Sequence, residues 1–386
     1  MSREAISADE VLRRARSVGQ YYGFTPFSEL ATSKRGQGKK TDLPKELSGI
    51  TLDANAEVFA SFLKQCVSSG LEPTPRTPIF TWHTNITPGR AAPRNIVVQF
   101  HAIGADRAIA DAVVIRAVRA LAHDLFKEMP VVRINTMGDK ETRARFAREL
   151  GVFFKKRSAL PPETCGLSEN CLACAKNDVF EAAALASEQL CATDLPAPTD
   201  QLSDASRKRF EELLEFLEMT ETPYELAREL ISRGSAWSET CFELTHEGKQ
   251  VAWGSRYNDL AKMFFRTPLS SSGAILRIQG TGGKVTQPRK ETRPRFAFVH
   301  IGTEAKQASF ALAEELRHAR VPLVQNVGLE SLTEQMHFVE KLNPPYLIIM
   351  GRKEALEHSA VLRNRETQQE TILPIDSFTE RLKAVV

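Results

Sequence analysis

A chain of 386 residues exceeds one ordinary core, and the usual range of ~100–200 residues per domain predicts two or three domains. With 42% hydrophobic and 26% charged residues and no long polar tract, the composition is that of a folded protein and excludes wholesale disorder. The formal net charge of +3 excludes an argument for nucleic-acid binding from bulk charge, so only local clusters can carry one. No apolar run reaches the ~20 residues of a membrane helix, and the first residues carry acids without an apolar signal core, so a cytoplasmic protein without membrane contact is expected.

The chain opens on an amphipathic helix from Ala8 to Tyr22, with Val11, Leu12, Ala15 and Val18 at helical spacing, Ser7 as cap and Gly23 as terminator. Ser33 to Lys45 is a basic loop holding Lys34, Arg35, Lys39, Lys40 and Lys45 among glycines. Thr77–Thr84 and Asn95–Ile103 are rich in β-formers and are expected to pair as an antiparallel hairpin across a long loop. A helix over 106–127, a strand at Val131–Asn135 and a helix over 139–154 follow, the last with a basic surface from Arg143 to Arg157.

The next segment reads as a loop containing Cys165, Cys171 and Cys174. In a chain of this size without a leader, cysteines point to reduced thiols or metal rather than a disulfide framework. With Cys191 as a distant fourth ligand they are a candidate tetrahedral zinc site. A helix from Ala205 to Met219 comes next, then a hairpin, CFELTHEGKQVAWGSRY, turning at His246-Glu247-Gly248. Residues 279–295 have linker composition and place a boundary near 290. Beyond it, strands at Phe296–Ile301, Pro322–Val327 and Tyr346–Met350 alternate with helices at Glu304–Ala319 and Ser331–Leu342, which implies parallel βαβ units in a small sheet covered on both faces. A hairpin within Val361–Ile375 and a helix from Ser377 to Val385 close the chain. His101, on the apolar strand IVVQFHAI, is expected to be a satisfied core residue.

Three blocks in this order resemble class II aminoacyl-tRNA synthetases of the histidyl type. They are RINTMGDKETRARF (133–146), SDASRKRFEELLEFLEMTETPYELARELISRG (203–234) and residues 295–386, which are similar to the anticodon-binding domain shared by the histidyl, glycyl, threonyl and prolyl enzymes. The resemblance implies an α+β core built on an antiparallel sheet over 1–285, with an insertion at about 140–202. A linker at 286–292 and a small α/β anticodon-binding-like domain over 293–386 would follow. It also implies a homodimer through the segment 8–30.

The catalytic signatures depart from the family. Motif 2, approximately Phe-Arg-x-Glu-Arg, is Phe80-Thr81-Trp82-His83-Thr84-Asn85 here, and of its loop only Gly89, Arg90 and Arg94 remain. Thr-Leu-Arg-Pro-Glu is replaced by Thr51-Leu52-Asp53-Ala54-Asn55, an acid where ATP would need a cation. The histidine signature Arg-Gly-Leu-Asp-Tyr-Tyr is reduced to Arg233-Gly234-Ser235-Ala236-Trp237-Ser238, and Gly254-Ser255-Arg256-Tyr257-Asn258-Asp259-Leu260 is the better-kept second block. Arg277 stands in the shortened motif 3.

No catalytic residue is assigned. Arg90, Arg94, Arg233, Arg256 and Tyr257 are expected as ligand-pocket remnants, with Arg233 and Arg256 equally readable as fold residues. The expected function is a paralogue that has lost full aminoacylation, uses ATP and Mg²⁺ only if active, and binds tRNA or other RNA but not DNA. The RNA contacts would come from Lys34, Arg35, Lys39, Lys40, Arg289, Lys290, Arg293 and Arg295. The alternatives are an active histidine–tRNA ligase and a regulatory subunit of ATP phosphoribosyltransferase, a family that resembles the same core but usually lacks the C-terminal domain.

Overall fold

The computed structural model describes residues 6–32, 44, 52–86, 94–189, 194–233, 236–280, 294–329 and 331–385. In the first part, α1 (Ala8–Tyr21), β1 (Thr25–Pro26) and α2 (Phe27–Thr32) lead to α3 (Ala54–Ser68), β2 (Ile79–Ile86) and β3 (Arg94–Ile103). The helix α4 (Ile109–Phe126), β4 (Val131–Thr136) and α5 (Lys140–Ser158) come next. Three short helices, α6 (Pro162–Cys165), α7 (Glu169–Ala175) and α8 (Val179–Glu188), occupy the segment expected as a cysteine-bearing loop. Ser168 and Asp178 cap the second and third by accepting from backbone N–H groups of their first turns, which is why helices form there without a long periodic pattern. The helix α9 (Asp204–Met219), β5 (Tyr224–Leu226), β6 (Ser238–His246), β7 (Lys249–Arg256), α10 (Asn258–Phe265) and β8 (Ser271–Gly280) complete this part.

These strands form one eight-stranded sheet in the order β1-β2-β3-β8-β7-β6-β4-β5. The six inner strands pair antiparallel throughout, and only the short edge strands β1 and β5 run parallel to their neighbours. The expected hairpins are present. In the β6–β7 turn His246 pairs with Lys249, and Glu247 and Gly248 both take positive φ (50° and 71°), as a two-residue turn matched to strand twist requires.

Period-2 alternation divides β3 between the two faces. Ile96, Val98, Phe100 and Ala102 join α1, α4 and α9 in one core, whereas Val97 and Ile103 face the cluster built by α3 and α10. Fourteen of the eighteen residues of α4 are buried, including Asp111 and Arg116, so this helix is apolar nearly all round and runs through the centre of the molecule.

The second part contains β9 (Phe296–His300), α11 (Thr303–His318), β10 (Leu323–Gln325), α12 (Leu332–Leu342), β11 (Tyr346–Met350), α13 (Arg352–Leu356), β12 (Ser359–Asn364), β13 (Glu370–Pro374) and α14 (Ile375–Val385). Its sheet runs β10-β9-β11-β12-β13, with three parallel strands and an antiparallel hairpin at one edge. Leu312, Leu316, Phe378 and Leu382 cover one face, and Val339 of α12 packs on Ala297, Val299 and Leu347 of the other.

The two sheets are joined at the end of α1. Tyr21 Oη donates to Val321 O (2.6 Å), and Gln325 Nε2 donates to Tyr21 O (3.0 Å). Gly23, at φ +77°, lies so close to the Gln325 carbonyl that any Cβ would collide with it. The segment expected as a linker lies outside the described residues.

Candidate functional site

A cleft of about 490 Å³ opens on the α3 side of the large sheet. Its walls come from the start of α3 (Asp53 to Asn55), from Arg133 of β4, Glu243 of β6, Gln250 and Trp253 of β7, the end of α8 and the segment Glu229–Arg233. Four carboxylates, those of Asp53, Glu188, Glu229 and Glu243, face two guanidiniums, Arg133 and Arg233, so the lining is formally negative.

Neither guanidinium is available to a ligand without breaking a pair. Arg133 is clasped by Glu229 and Glu243, and Gln250 Nε2 donates to the second oxygen of Glu243 (2.6 Å). Arg233 reaches Glu181 at 3.1 Å and Glu188 at 2.7 Å. Asp53 is also spent. Its Oδ1 accepts from the N–H groups of Asn55 and Ala56, both at 2.8 Å, capping α3, and its Oδ2 accepts from Trp237 Nε1 at 2.6 Å. Arg277 Nη2 donates to Asn55 Oδ1 at 2.6 Å on the same rim.

Beneath this rim the sheet face is filled by rings. Trp237 and Tyr257 are fully buried, and Phe59 packs edge-on to Trp237, Tyr257 and His101 at centroid distances of 5.3, 4.9 and 4.8 Å. His101 stacks on Phe62 at 4.1 Å. Its Nε2–H donates to Gln99 Oε1 (3.1 Å), which leaves Nδ1 to accept from the Tyr257 hydroxyl (2.9 Å). Burial, assisted by nearby His83, holds this imidazole well below its ordinary pKa and therefore neutral. His101 is thus the satisfied core residue that its strand pattern predicts. Trp237, Phe59 and Trp253 form an apolar plug, in which Trp237 and Trp253 come from the β6–β7 region and Phe59 from α3, far upstream.

The expected remnants do not converge. Arg256 projects to the opposite face of the sheet, fully buried, with Nε 2.8 Å from Asp111 Oδ2 of α4 and Nη2 donating to Arg107 O (2.9 Å). It therefore does not line the cleft, and Tyr257 is held by His101 in the ring cluster. Among the remnants whose side chains are described, only Arg233 reaches the mouth. Arg94 begins β3 opposite Gly280. Arg90 lies outside the described residues, as do Lys34, Arg35, Lys39, Lys40, Arg289, Lys290 and Arg293. Arg295 is half-buried just before β9, where its carbonyl accepts from Tyr346 N–H (3.1 Å).

The three cysteines expected as zinc ligands are not brought together among the described residues. Among the described residues no group of three or more His, Cys, Asp or Glu side chains is placed to hold a metal. Cys165 is buried at the end of α6, and Cys171 is buried at the start of α7 with its thiol between Ser168 Oγ (3.1 Å) and Gln189 Oε1 (3.6 Å). Cys174 packs into the apolar cluster of Phe146, Leu150 and Phe154. Separate helices and apolar packing keep the three sulfurs in different environments; Cys191 lies outside the described residues.

Comparison with known proteins agrees with the order of blocks. Residues 296–385 match the family described as Anticodon binding domain. A histidine–tRNA ligase from Caldanaerobacter subterraneus subsp. tengcongensis is 26% identical over 403 residues, covering 95% of this chain and 93% of that protein. One from Streptomyces coelicolor is 26% identical over 415 residues, covering 99% and 92%. Among solved structures, an apo histidyl-tRNA synthetase from S. aureus aligns over 99% of both chains at 18% identity with a TM-score of 0.47. An ATP phosphoribosyltransferase regulatory subunit/histidyl-tRNA synthetase from Bacillus halodurans C aligns over 88% of this chain and 94% of its own at 14% identity, TM-score 0.39.

Proposed function

We propose that this chain, a protein of the histidyl-tRNA synthetase type with a class II fold and a C-terminal anticodon-binding domain, binds tRNA or a related RNA without activating histidine. The observation that carries this reading is the negative lining of the cleft, in which both arginines are already neutralised. Adenylate formation gathers charge on the α-phosphate of ATP and needs fixed cations and Mg²⁺ around it. Two like unit charges 4 Å apart at an effective dielectric of 20 repel by ~4 kcal/mol, so a triphosphate is disfavoured by a lining whose four carboxylates outnumber its two guanidiniums. The ring cluster adds few polar partners with which to recognise an imidazole. The remaining part with a clear ligand class is the anticodon-binding domain. We place the protein as a cytoplasmic homodimer and a paralogue of the ligases, accessory to translation. No helix among the described residues is long and apolar enough to cross a membrane.

The purified protein is expected to show no histidine-dependent ATP–pyrophosphate exchange; exchange at ~1–10³ per second would restore the ligase reading. Bulk tRNA is expected to bind with a log affinity that falls with log salt at ~0.7 per phosphate neutralised, so four engaged side chains give a slope of roughly 3. Lys39→Ala with Lys40→Ala should lower that slope by about 1 to 2. Undetectable binding at low salt would turn the reading towards a protein partner.

A further inference from the structure

A second cavity, of about 360 Å³, lies where α4 meets α11, at the seam between the two sheets. Its depth and its rim carry opposite charge. Arg116 and Arg317 are 5% and 8% exposed, whereas Glu221 and Glu315 stand exposed at the mouth.

Glu314, the one deep carboxylate of the lining, is already spent. It accepts from Tyr22 Oη and from Arg317 Nη2 (2.9 Å), and it lies 3.6 Å from Arg116 Nη2 and 3.2 Å from His318 Nε2. Burial opposes its ionisation, yet Arg317 and Arg116 hold it below the ordinary carboxylate range. Arg317 is shared further with Asp124 (3.3 Å).

Two guanidiniums remain with unspent donors. Arg116 Nη1 is buried with no hydrogen-bond partner among the described residues. Its guanidinium sits over the rings of Tyr22 and Phe310, at 5.8 and 5.6 Å, which fix its plane without using its N–H groups. Arg119, one turn along α4, donates only its Nε, to Pro130 O at 3.3 Å, and no carboxylate lies within ion-pair distance of it among the described residues. Burial, with the neighbouring Arg116, lowers its pKa against the smaller opposing pull of Tyr22 and Glu314.

We propose that this seam binds a small molecule bearing a phosphate dianion, held by the free fork of Arg119 with the buried charge of Arg116 behind it. Two adjacent guanidiniums with donors to spare call for an acceptor with more than two oxygens and more than one charge. A carboxylate brings one negative charge to this pair of cations, whereas a phosphate dianion brings two and a third oxygen. The volume falls within the ~300–1,000 Å³ range of small-ligand sites, and the negative rim disfavours a long polyanion laid across the mouth. A ligand here touches α4 of the core and α11 of the anticodon-binding domain together, so its occupancy strengthens the docking of one on the other.

The test is calorimetric titration of the full-length protein with inorganic phosphate, with AMP and, at matched ionic strength, with acetate, alongside the thermal midpoint. One phosphate per chain is expected, with acetate at least tenfold weaker and a midpoint that rises with phosphate. Tighter binding of AMP than of phosphate identifies a nucleotide as the source, and equal binding a free phosphate. Arg119→Gln removes only one 3.3 Å protein hydrogen bond, so it should leave the ligand-free midpoint unchanged while weakening phosphate at least tenfold. No binding, equal binding of acetate, or undiminished binding by the Arg119→Gln variant would overturn the proposal. None of these results depends on pyrophosphate exchange or on tRNA.

Discussion

Arg256 and Arg233 come from neighbouring blocks of the same sequence pattern, yet the sheet gives them opposite surroundings. Arg256 is entirely enclosed between β7 and α4, with one carboxylate and two carbonyls as partners. Arg233 is a third exposed at the mouth of the cleft, shared between two glutamates on α8. The comparison teaches that retention of an arginine at a family position says little about chemistry until its partners are known. One of these two holds the fold, and the other tunes a wet surface.

The largest test of that contrast is Asp111→Ala. Removing one member of a fully buried pair strands the other charge, which costs ~3–5 kcal/mol, and urea denaturation should show it as a midpoint shift without a change in slope. A loss under 1 kcal/mol would mean that water reaches Arg256.

A smaller effect should come from His101, which sits on the other face of the same sheet. Its folded pKa lies well below the ordinary 6.5, so the unfolded chain takes up the proton first as pH falls. The stability it contributes is complete above pH ~6.5 and declines below that, by up to ~1.4 kcal/mol per pH unit, until the folded pKa is reached. His83 and His123 are also lowered, mainly by burial, and add to the same slope. Stability measured from pH 7 to 5 should therefore fall less steeply for His101→Gln than for the parent, and equal slopes would show that the imidazole is hydrated.

The smallest effect is reserved for Arg233→Ala, at most ~1 kcal/mol, because a partly exposed pair is screened and loses side-chain entropy when formed. If it instead costs as much as Asp111→Ala, the comparison collapses.

Local patterns carried much of the fold. Strand Tyr346–Met350 is found where its apolar run placed it, and the Glu-Gly turn of β6–β7 is written in two residues that tolerate positive φ. The helix α3 was obscured because Thr51–Asn55 reads as a displaced synthetase motif. Its signal was nonetheless available in the Asp53 cap and in Phe59, Phe62, Leu63 and Cys66 on one face. The helices α6 and α7 span four and seven residues, too short for periodicity to reveal. The cleft could not be read from any single segment, since five elements far apart in sequence supply its charges.

The double engagement of Asp53 ties the rim of the cleft to the fold. Replacing Asp53 by a cationic side chain would uncap α3, at ~1 kcal/mol, and leave the indole N–H of Trp237 without its acceptor, at ~1–3 kcal/mol more. Any such substitution is therefore penalised in stability. An acid on the rim of the cleft is thus held in place by the helix it caps.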